Sequence, residues 1–431
     1  MNEWKEMIFG ELGYTYSGLS GKTIKDFGKG KGFIPYMNIF TNSKIDPTFL
    51  NYVEIHPWEN QNAVKKNDLF FTTSSETIEE VGMTSVLLED IGECYLNSFC
   101  FGFRLYNYDD LIPEFVPYLF RGDEVRKQIS DLGQGSTRYN LPKTELLKRL
   151  KLNLPSPLEQ RFISHILSKT DAVIELTKAA ISKYNSIKQG MVHDLFTRGI
   201  DLPTGKLRPK YEDAPELYKE SKLGIVPREW EVETLDGLTE KIGSGITPTG
   251  GSEIYKSSGV LFIRSQNVLI GRLAIEDAAF ITKEIDERME GSRVRPFDVL
   301  LNITGASIGR CAFFPSELES ANVNQHVCII RFLHTSKPLA VFASEFMNSD
   351  FGQCQINRSN AGGNRDGLNF QQIKSFNFPV IDEIELELIS TIIENLSKKI
   401  NTEVFFQNKL QKIKVGLMED LLSGRKQVVI E

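Results

Sequence analysis

Cysteine is scarce. The 431 residues hold only Cys94, Cys100, Cys311, Cys328 and Cys354, and no two of them form a C-x-x-C pair. An odd count without that spacing supplies neither a disulfide framework nor a thiolate metal site, and it suits a reducing cytoplasm. The five histidines, His56, His165, His193, His326 and His334, are not at metal-ligand spacings, so no metal is expected. No uncharged apolar run approaches the length that spans a bilayer. The start, Met1-Asn2-Glu3-Trp4-Lys5, has no apolar stretch behind a basic one. Neither a membrane span nor a signal peptide is therefore expected, and the location expected is cytoplasmic. A basic excess is lacking too: 50 Lys and Arg face 57 Asp and Glu, a formal net charge of -7. Taken alone, that argues against nucleic acid, which favours a basic partner.

Catalytic motifs are also missing. The chain has no Pro-Pro pair, hence no Asn/Asp-Pro-Pro-aromatic loop of the kind with which a DNA adenine methyltransferase holds a flipped base. Glu220-Ser221-Lys222 matches the acid-x-Lys triplet of metal-dependent nucleases, but Pro215-Glu216 lies too close to supply the upstream acid. Gly21-Lys22-Thr23 looks like the end of a phosphate loop, yet Tyr16 stands where its leading glycine belongs. Gly28-Lys29-Gly30-Lys31-Gly32 has no clear strand before it and no helix after it, and is expected to be a flexible turn. No active site and no cofactor are expected.

What the chain does contain is a long helical pattern written twice, from about Leu158 to Arg198 and from about Ile384 to Ser423. One constant offset sets Phe162 on Leu388, Ile163 on Ile389, Ile166 on Ile392, Ile174 on Ile400 and Ile187 on Ile413. The run Lys188, Gly190, Asp194, Leu195 falls on Lys414, Gly416, Asp420, Leu421. Ser156-Pro157-Leu158-Glu159 is a capping box, with proline in the first turn. Asp382 with Glu385 is expected to do the same for the second copy. Gly199 and Gly424 stand where the helices should stop. Apolar steps of four and three through Val173, Thr177, Ala180, Tyr184, Ile187 and Met191, and through Phe406, Leu410, Ile413 and Leu417, predict a coiled-coil seam. At the helical rise each helix would span roughly 60 Å.

The repeat extends beyond the helices. Glu3-Trp4 aligns with Glu229-Trp230, Asp68 with Asp298, Asn97 with Asn324, Arg104 with Arg331, and Gly135, Arg138 and Leu141 with Gly362, Arg365 and Leu368. Between these landmarks the chain reads mostly as short strands, among them Val260 to Ile263, Asp298 to Ile303, His326 to Phe332, Asp68 to Thr72 and Phe99 to Leu105. Short helices are expected over Phe115 to Leu132 and Leu339 to Ile356. The fold class is α+β, with a β-rich domain of roughly 150 residues in each half. The boundaries expected are 1–154 and 227–380 for the two domains, 155–199 and 381–424 for the helices, and 200–226 for an ordered connector. If the seams bury each other, the helices run antiparallel and the repeat acquires a pseudo-twofold axis.

The strands alternate with polar loops at matching places in the two halves. The first half has Tyr36 and Asn38; Thr72, Thr73, Ser74, Ser75 and Thr77; and Ser136, Thr137, Arg138 and Tyr139. The second has Arg264, Ser265, Gln266 and Asn267; Thr304, Ser307 and Arg310; Asn324, Gln325 and His326; and Asn364 and Arg365. Arg forks onto guanine, Asn and Gln pair with adenine, and hydroxyls reach bases or phosphates. Matched frames with divergent loops suit two readers of different half-sites.

Tyr218-Lys219-Glu220-Ser221-Lys222-Leu223-Gly224-Ile225-Val226-Pro227-Arg228-Glu229-Trp230 resembles the opening signature of type I restriction-modification specificity subunits. Glu159-Gln160-Arg161 through Asp171 resembles the start of that family's spacer helix, Lys188 to Gly199 its end, and Gly363 to Leu368 the run into the second helix. The first half keeps only Trp4 of the opening signature, and the second helix lacks the Glu-Gln pair. The resemblance implies two similar target-recognition domains separated by two long antiparallel coiled-coil helices. Each domain would read half of a bipartite site in double-stranded DNA, with the helices as spacer and docking site. It also implies as partners methyltransferase subunits, two of them, and a restriction/motor subunit, with all catalysis in those other subunits. The competing readings are a protein-binding coiled-coil scaffold and a single-chain methyltransferase or nuclease with an unfamiliar site.

Overall fold

The computed structural model describes residues 4–248, 250–276, 278–318, 320–360 and 367–426. Two units emerge: Met1–Lys178 with Phe405–Glu431, and Ala179–Val404.

In the first unit an antiparallel sheet takes the order Gly13–Ser17, Cys100–Leu105, Leu69–Thr72, Thr84–Val86. Successive residues of a strand face opposite sides, and Leu69-Phe70-Phe71 uses both. Leu69 and Phe71 enter a core with Phe9, Phe101, Phe103 and Phe120. Phe70 enters a second core with Ile34, Ile39 and Leu96. That second core lies under a three-stranded sheet of Asn51–Val53, Phe27–Ile34 and Cys94–Leu96, whose last two strands run parallel. Lys5–Ile8 pairs with Lys151–Leu154 ahead of the first long helix.

The second unit has an antiparallel sheet in the order Thr239–Ser244, Val327–Phe332, Val299–Asn302, Cys311–Phe313. Val299 and Leu301 face a core with Phe342 and Phe346, and Leu300 faces another with Ile263 and Val323. The companion sheet pairs Val260–Ile263 in parallel with Ala321–Val323. Glu231–Thr234 pairs with Asn377–Val380 ahead of the second long helix.

One buried ion pair pins each central sheet. Arg104 donates twice to Asp68, both at 2.7 Å, and Arg331 donates to Asp298 at 2.8 and 2.7 Å. Each carboxylate also accepts a turn amide, from Lys65 and from Arg295, at 2.7 Å. Fork-to-carboxylate geometry with further donors on the carboxylate is what makes such burial tolerable.

The long helices are Pro157–Arg198, 42 residues, and Glu383–Leu422, 40 residues. The Glu159 amide donates to the Ser156 hydroxyl at 3.3 Å, and the Ile384 amide to Asp382 at 2.8 Å. Glu385 does not complete a box; its carboxylate is buried and spent elsewhere, as described below. Gly199 and Gly424 end the helices with φ of 60° and 70°, a region glycine enters without strain. The expected seam is buried only in part. Buried positions include Ile163, Leu167, Val192, Leu195, Phe196, Ile389, Ile393 and Leu421 toward the helix ends, and Ile174 and the seam residue Thr177 in the middle of the first helix. Val173, Ile187, Phe406 and Ile413 are 40, 42, 44 and 45% exposed.

Other expectations need correcting. Gly28 to Gly32 is no flexible turn but part of the strand Phe27–Ile34, its register broken between Phe27 and Lys31 where Gly28 and Gly30 take positive φ. The short helices come as pairs: Val116–Leu119 and Asp123–Asp131, split at extended Gly122, and Lys337–Asn348 and Asp350–Asn360, split at extended Ser349. The connector is ordered by two antiparallel pairs, Ile200–Asp201 with Lys206–Leu207 and Tyr218–Ser221 with Gly224–Pro227.

Candidate nucleic-acid interface

In the second unit three loops leave neighbouring strand ends together. The parallel pair Val260–Ile263 and Ala321–Val323 delivers Arg264–Asn267 and Asn324–His326 to one edge, where the Asn324 amide donates to the Ile263 carbonyl at 3.1 Å. The third loop, Thr304 to Arg310, is tied to them through the Ile303 amide, which donates to the His326 carbonyl at 3.0 Å. Thr304 and His326 Nδ1 share a hydrogen bond of 2.6 Å, and the Thr247 hydroxyl bonds the Gln325 side chain. Gly305 and Gly309, both at positive φ, turn the third loop. Gln353 holds the loop by donating to the Gly309 carbonyl at 2.9 Å.

Two asparagines expected to touch a ligand instead build these turns. Asn267, 3% exposed, accepts from the Arg264 amide at 3.0 Å and donates to the Ala274 carbonyl at 2.9 Å. Asn324, 7% exposed, accepts from the His326 amide at 3.1 Å. What they leave for solvent is Gln266 and Gln325, which are exposed, and Arg264, Ser265, Thr304, Ser307, Arg310 and His326, which are half-buried. The Arg264 guanidinium lies over the Tyr255 ring at 5.3 Å, and its buried Nε has no hydrogen-bond partner among the described residues. Asn364 and Arg365 lie outside the described residues.

The first unit repeats this logic. Its parallel pair, Phe27–Ile34 and Cys94–Leu96, delivers Tyr36 to Asn38 and Asn97 to Phe99, and the Asn97 amide donates to the Ile34 carbonyl at 3.1 Å. The Thr73 amide donates to the Phe99 carbonyl at 3.0 Å. Ser74 and Ser75 pair with Asn140 and Tyr139, and two hydrogen bonds between Gln134 and Asn140 close the loop that carries Ser136, Thr137 and Arg138. The Tyr36 hydroxyl donates to the Ser74 carbonyl at 2.8 Å, and burial raises the Tyr36 phenol above its ordinary pKa.

Four of the residues expected here are structural. Asn38 is fully buried, its amide donating to the Asp46 and Phe49 carbonyls at 2.9 and 2.7 Å. The Thr72 hydroxyl accepts from the Met83 amide at 2.9 Å, and Ser74 and Ser75 are each 6% exposed. A short polar side chain beside a strand end satisfies turn backbone more often than it reaches outward. Exposed are Ser136, Thr137, Arg138 and Thr77, with Tyr139, Thr73 and Tyr36 half-buried. The loop residues thus come together, and a subset of them faces solvent. Sequence reasoning missed Phe99, 60% exposed at the same edge, and Thr247 and Gln353. An aromatic directly after Asn97-Ser98 was the available signal for the first; the other two lie far along the chain.

Residues 1–186 match the model of the type I restriction modification DNA specificity domain. Relatives extend the similarity. The type I restriction enzyme MjaIX specificity subunit of Methanocaldococcus jannaschii is 30% identical over 176 residues, 41% of this chain and 38% of that one. The type I restriction enzyme EcoBI specificity subunit of Escherichia coli is 24% identical over 274 residues, 60% of this chain and 55% of that one. The matches thus span less than two thirds of the length of these relatives. The fold is that of the crystallised type I restriction-modification S subunit from M. genitalium, with a TM-score of 0.57 over 100% of this chain and 98% of that one, at 14% identity. No described helix is long and apolar enough to cross a membrane.

Proposed function

We propose that the chain is the specificity subunit of a type I restriction-modification complex, each β-rich unit reading one half of a bipartite target in double-stranded DNA. The observation that carries this reading is the edge in each unit where loops from a parallel strand pair converge. Buried side chains stiffen the turns there, and exposed Arg138 and Thr137, or Gln266 and Gln325, stand ready for base edges. Such pre-organisation is what direct readout needs.

The two units share a sheet order and an Asp–Arg pin, which supports an internal repeat. The helix contacts support an antiparallel pair. Asp171 meets Lys414 at 2.6 Å, Tyr184 lies under Lys399 at 5.5 Å, and Ile200 meets Glu385 at 2.6 Å, so partners advance on one helix as they retreat on the other. The helices then act as the spacer between half-sites, as rigid geometry sets half-site spacing elsewhere. Exposed Leu176, Phe405 and Val415, at 70, 71 and 57%, offer apolar surface on the helices to methyltransferase subunits, two in this reading, with a restriction/motor subunit joining for cleavage. The chain itself performs no chemistry. Its acidic balance follows if those partners neutralise most of the phosphates.

The deciding experiment is co-expression with the methylating partner and genome-wide mapping of modified adenines. A single two-part motif is expected, and exchanging the loops of one unit should change only that half of it. Methylation without a motif, or a motif indifferent to the exchange, overturns the reading.

A further inference from the structure

The unit containing Met1–Lys178 has a cavity of about 440 Å³ on the flank of the first long helix. Its wall is rich in unspent donors. Ser164 is 6% exposed, and its buried hydroxyl oxygen has no hydrogen-bond partner among the described residues. Helix hydroxyls ordinarily turn to the carbonyl four residues back, as Thr170, Thr177 and Ser186 do in this same helix. An isolated buried hydroxyl is costly, so a group that accepts from Ser164 would bind with advantage.

Two cations share this wall. Arg161 is exposed and makes no ion pair among the described residues. Lys44 lies 5.4 Å over the Tyr118 ring and 3.4 Å from its oxygen. Tyr118 offers that ammonium no full charge. Its own proton goes to Asp171 at 2.9 Å, and burial beside that carboxylate holds the phenol well above its ordinary pKa. Asn67 donates to the Tyr108 oxygen at 3.1 Å, which leaves the Tyr108 proton free. Glu114 is the one carboxylate on the wall, and Leu88, Ile112 and Pro113 supply an apolar side.

The matching turns of the second helix are built differently. Glu387 stands where Arg161 does, Glu394 pairs with Lys337 at 2.6 Å, and Ser390 spends its hydroxyl on the Pro338 carbonyl at 2.7 Å. Donors left open in one copy are replaced or satisfied in the other.

We propose that this cavity binds a small phosphorylated molecule of nucleotide size, its phosphoryl oxygens accepting from Lys44, Arg161, Ser164 and Tyr108. A phosphomonoester carries three acceptor oxygens and nearly two charges, matching two cations and two hydroxyls better than a carboxylate does. The volume exceeds that of the oxyanion and leaves room for an organic part along Leu88, Ile112 and Pro113. The buried Ser164 oxygen favours a small ligand that enters the cavity over a DNA backbone that passes along a surface.

Titration calorimetry on the full chain, with adenosine 5′-monophosphate and inorganic phosphate as probes, tests this. The nucleotide should bind with a Kd of about 1 mM or tighter, and phosphate should compete with it. Arg161→Gln should weaken binding at least about tenfold and Ser164→Ala several-fold, while Glu387→Gln leaves it unchanged. No heat with either probe at about 10 mM, or equal affinity in Arg161→Gln, overturns the proposal. So does displacement of the nucleotide by a short DNA duplex in wild type but not in Arg161→Gln, which would assign these cations to the DNA backbone.

Discussion

The Trp230 indole donates to the Glu385 carboxylate at 3.0 Å, with both side chains almost fully buried. The same carboxylate takes Arg208 at 2.6 and 3.2 Å and the Ile200 amide at 2.6 Å. One acid thus joins the start of the second helix, the end of the first and the opening tryptophan. Gly199 is part of the knot: at φ 60° its missing side chain leaves the space that Glu385, Arg208 and Trp230 occupy.

Glu385→Ala should therefore destabilise the fold by about 3–5 kcal/mol, because it removes the main partner of the buried Arg208 charge and leaves it only the exposed Glu229 at 3.6 Å. Gly199→Ala should also destabilise, through clash and positive φ together. Urea unfolding checks both. Replacing Arg208 and Glu385 together by apolar residues should recover much of the first loss, and a double variant as unstable as Glu385→Ala refutes this account.

Asn38 and Arg138 come from the same expected group yet should behave oppositely. Asn38→Ala should cost about 1–3 kcal/mol of stability, the penalty for abandoning buried backbone partners, with the recognised motif unchanged. Arg138→Ala should leave stability within about 0.5 kcal/mol and weaken DNA binding by the assembled complex by about 1–3 kcal/mol. Thermal unfolding and DNA titration of each variant separate the two outcomes.

Alkaline pH should loosen the fold. Burial pushes the Cys94 thiol from 9.0 up to about 11 and the Cys328 thiol up to about 12. Both ionise more readily in the unfolded chain, so their contribution is complete below about pH 9 and is lost as pH rises through 11 to 12. Tyr16 and Tyr118, held protonated by burial and by Asp68 and Asp171, act in the same direction. Urea midpoints measured across that window should fall with pH, and fall less in a Cys94→Ala variant.

Inserting about two turns into each long helix, roughly 11 Å of rise, should lengthen the gap between the two parts of the recognised motif. Motif mapping reads the gap directly, and an unchanged gap removes the spacer role.

The sequence by itself determined the two long helices, their stops at Gly199 and Gly424, the α+β class and the matching of Asp68–Arg104 with Asp298–Arg331. These follow from local periodicity, glycine conformational freedom and a repeat in register. It also marked the polar loops beside the strands, because strand ends are local features, but not that these loops converge. Only the tertiary structure decided which loop side chains face outward. Asn38, Asn267 and Asn324 look like ligand-binding residues until the carbonyls and amides of their own turns are in place to consume them. The role of Glu385 was hidden for the same reason: a first-turn glutamate reads as a cap, and its true partners lie at Ile200, Arg208 and Trp230, brought close only by the fold.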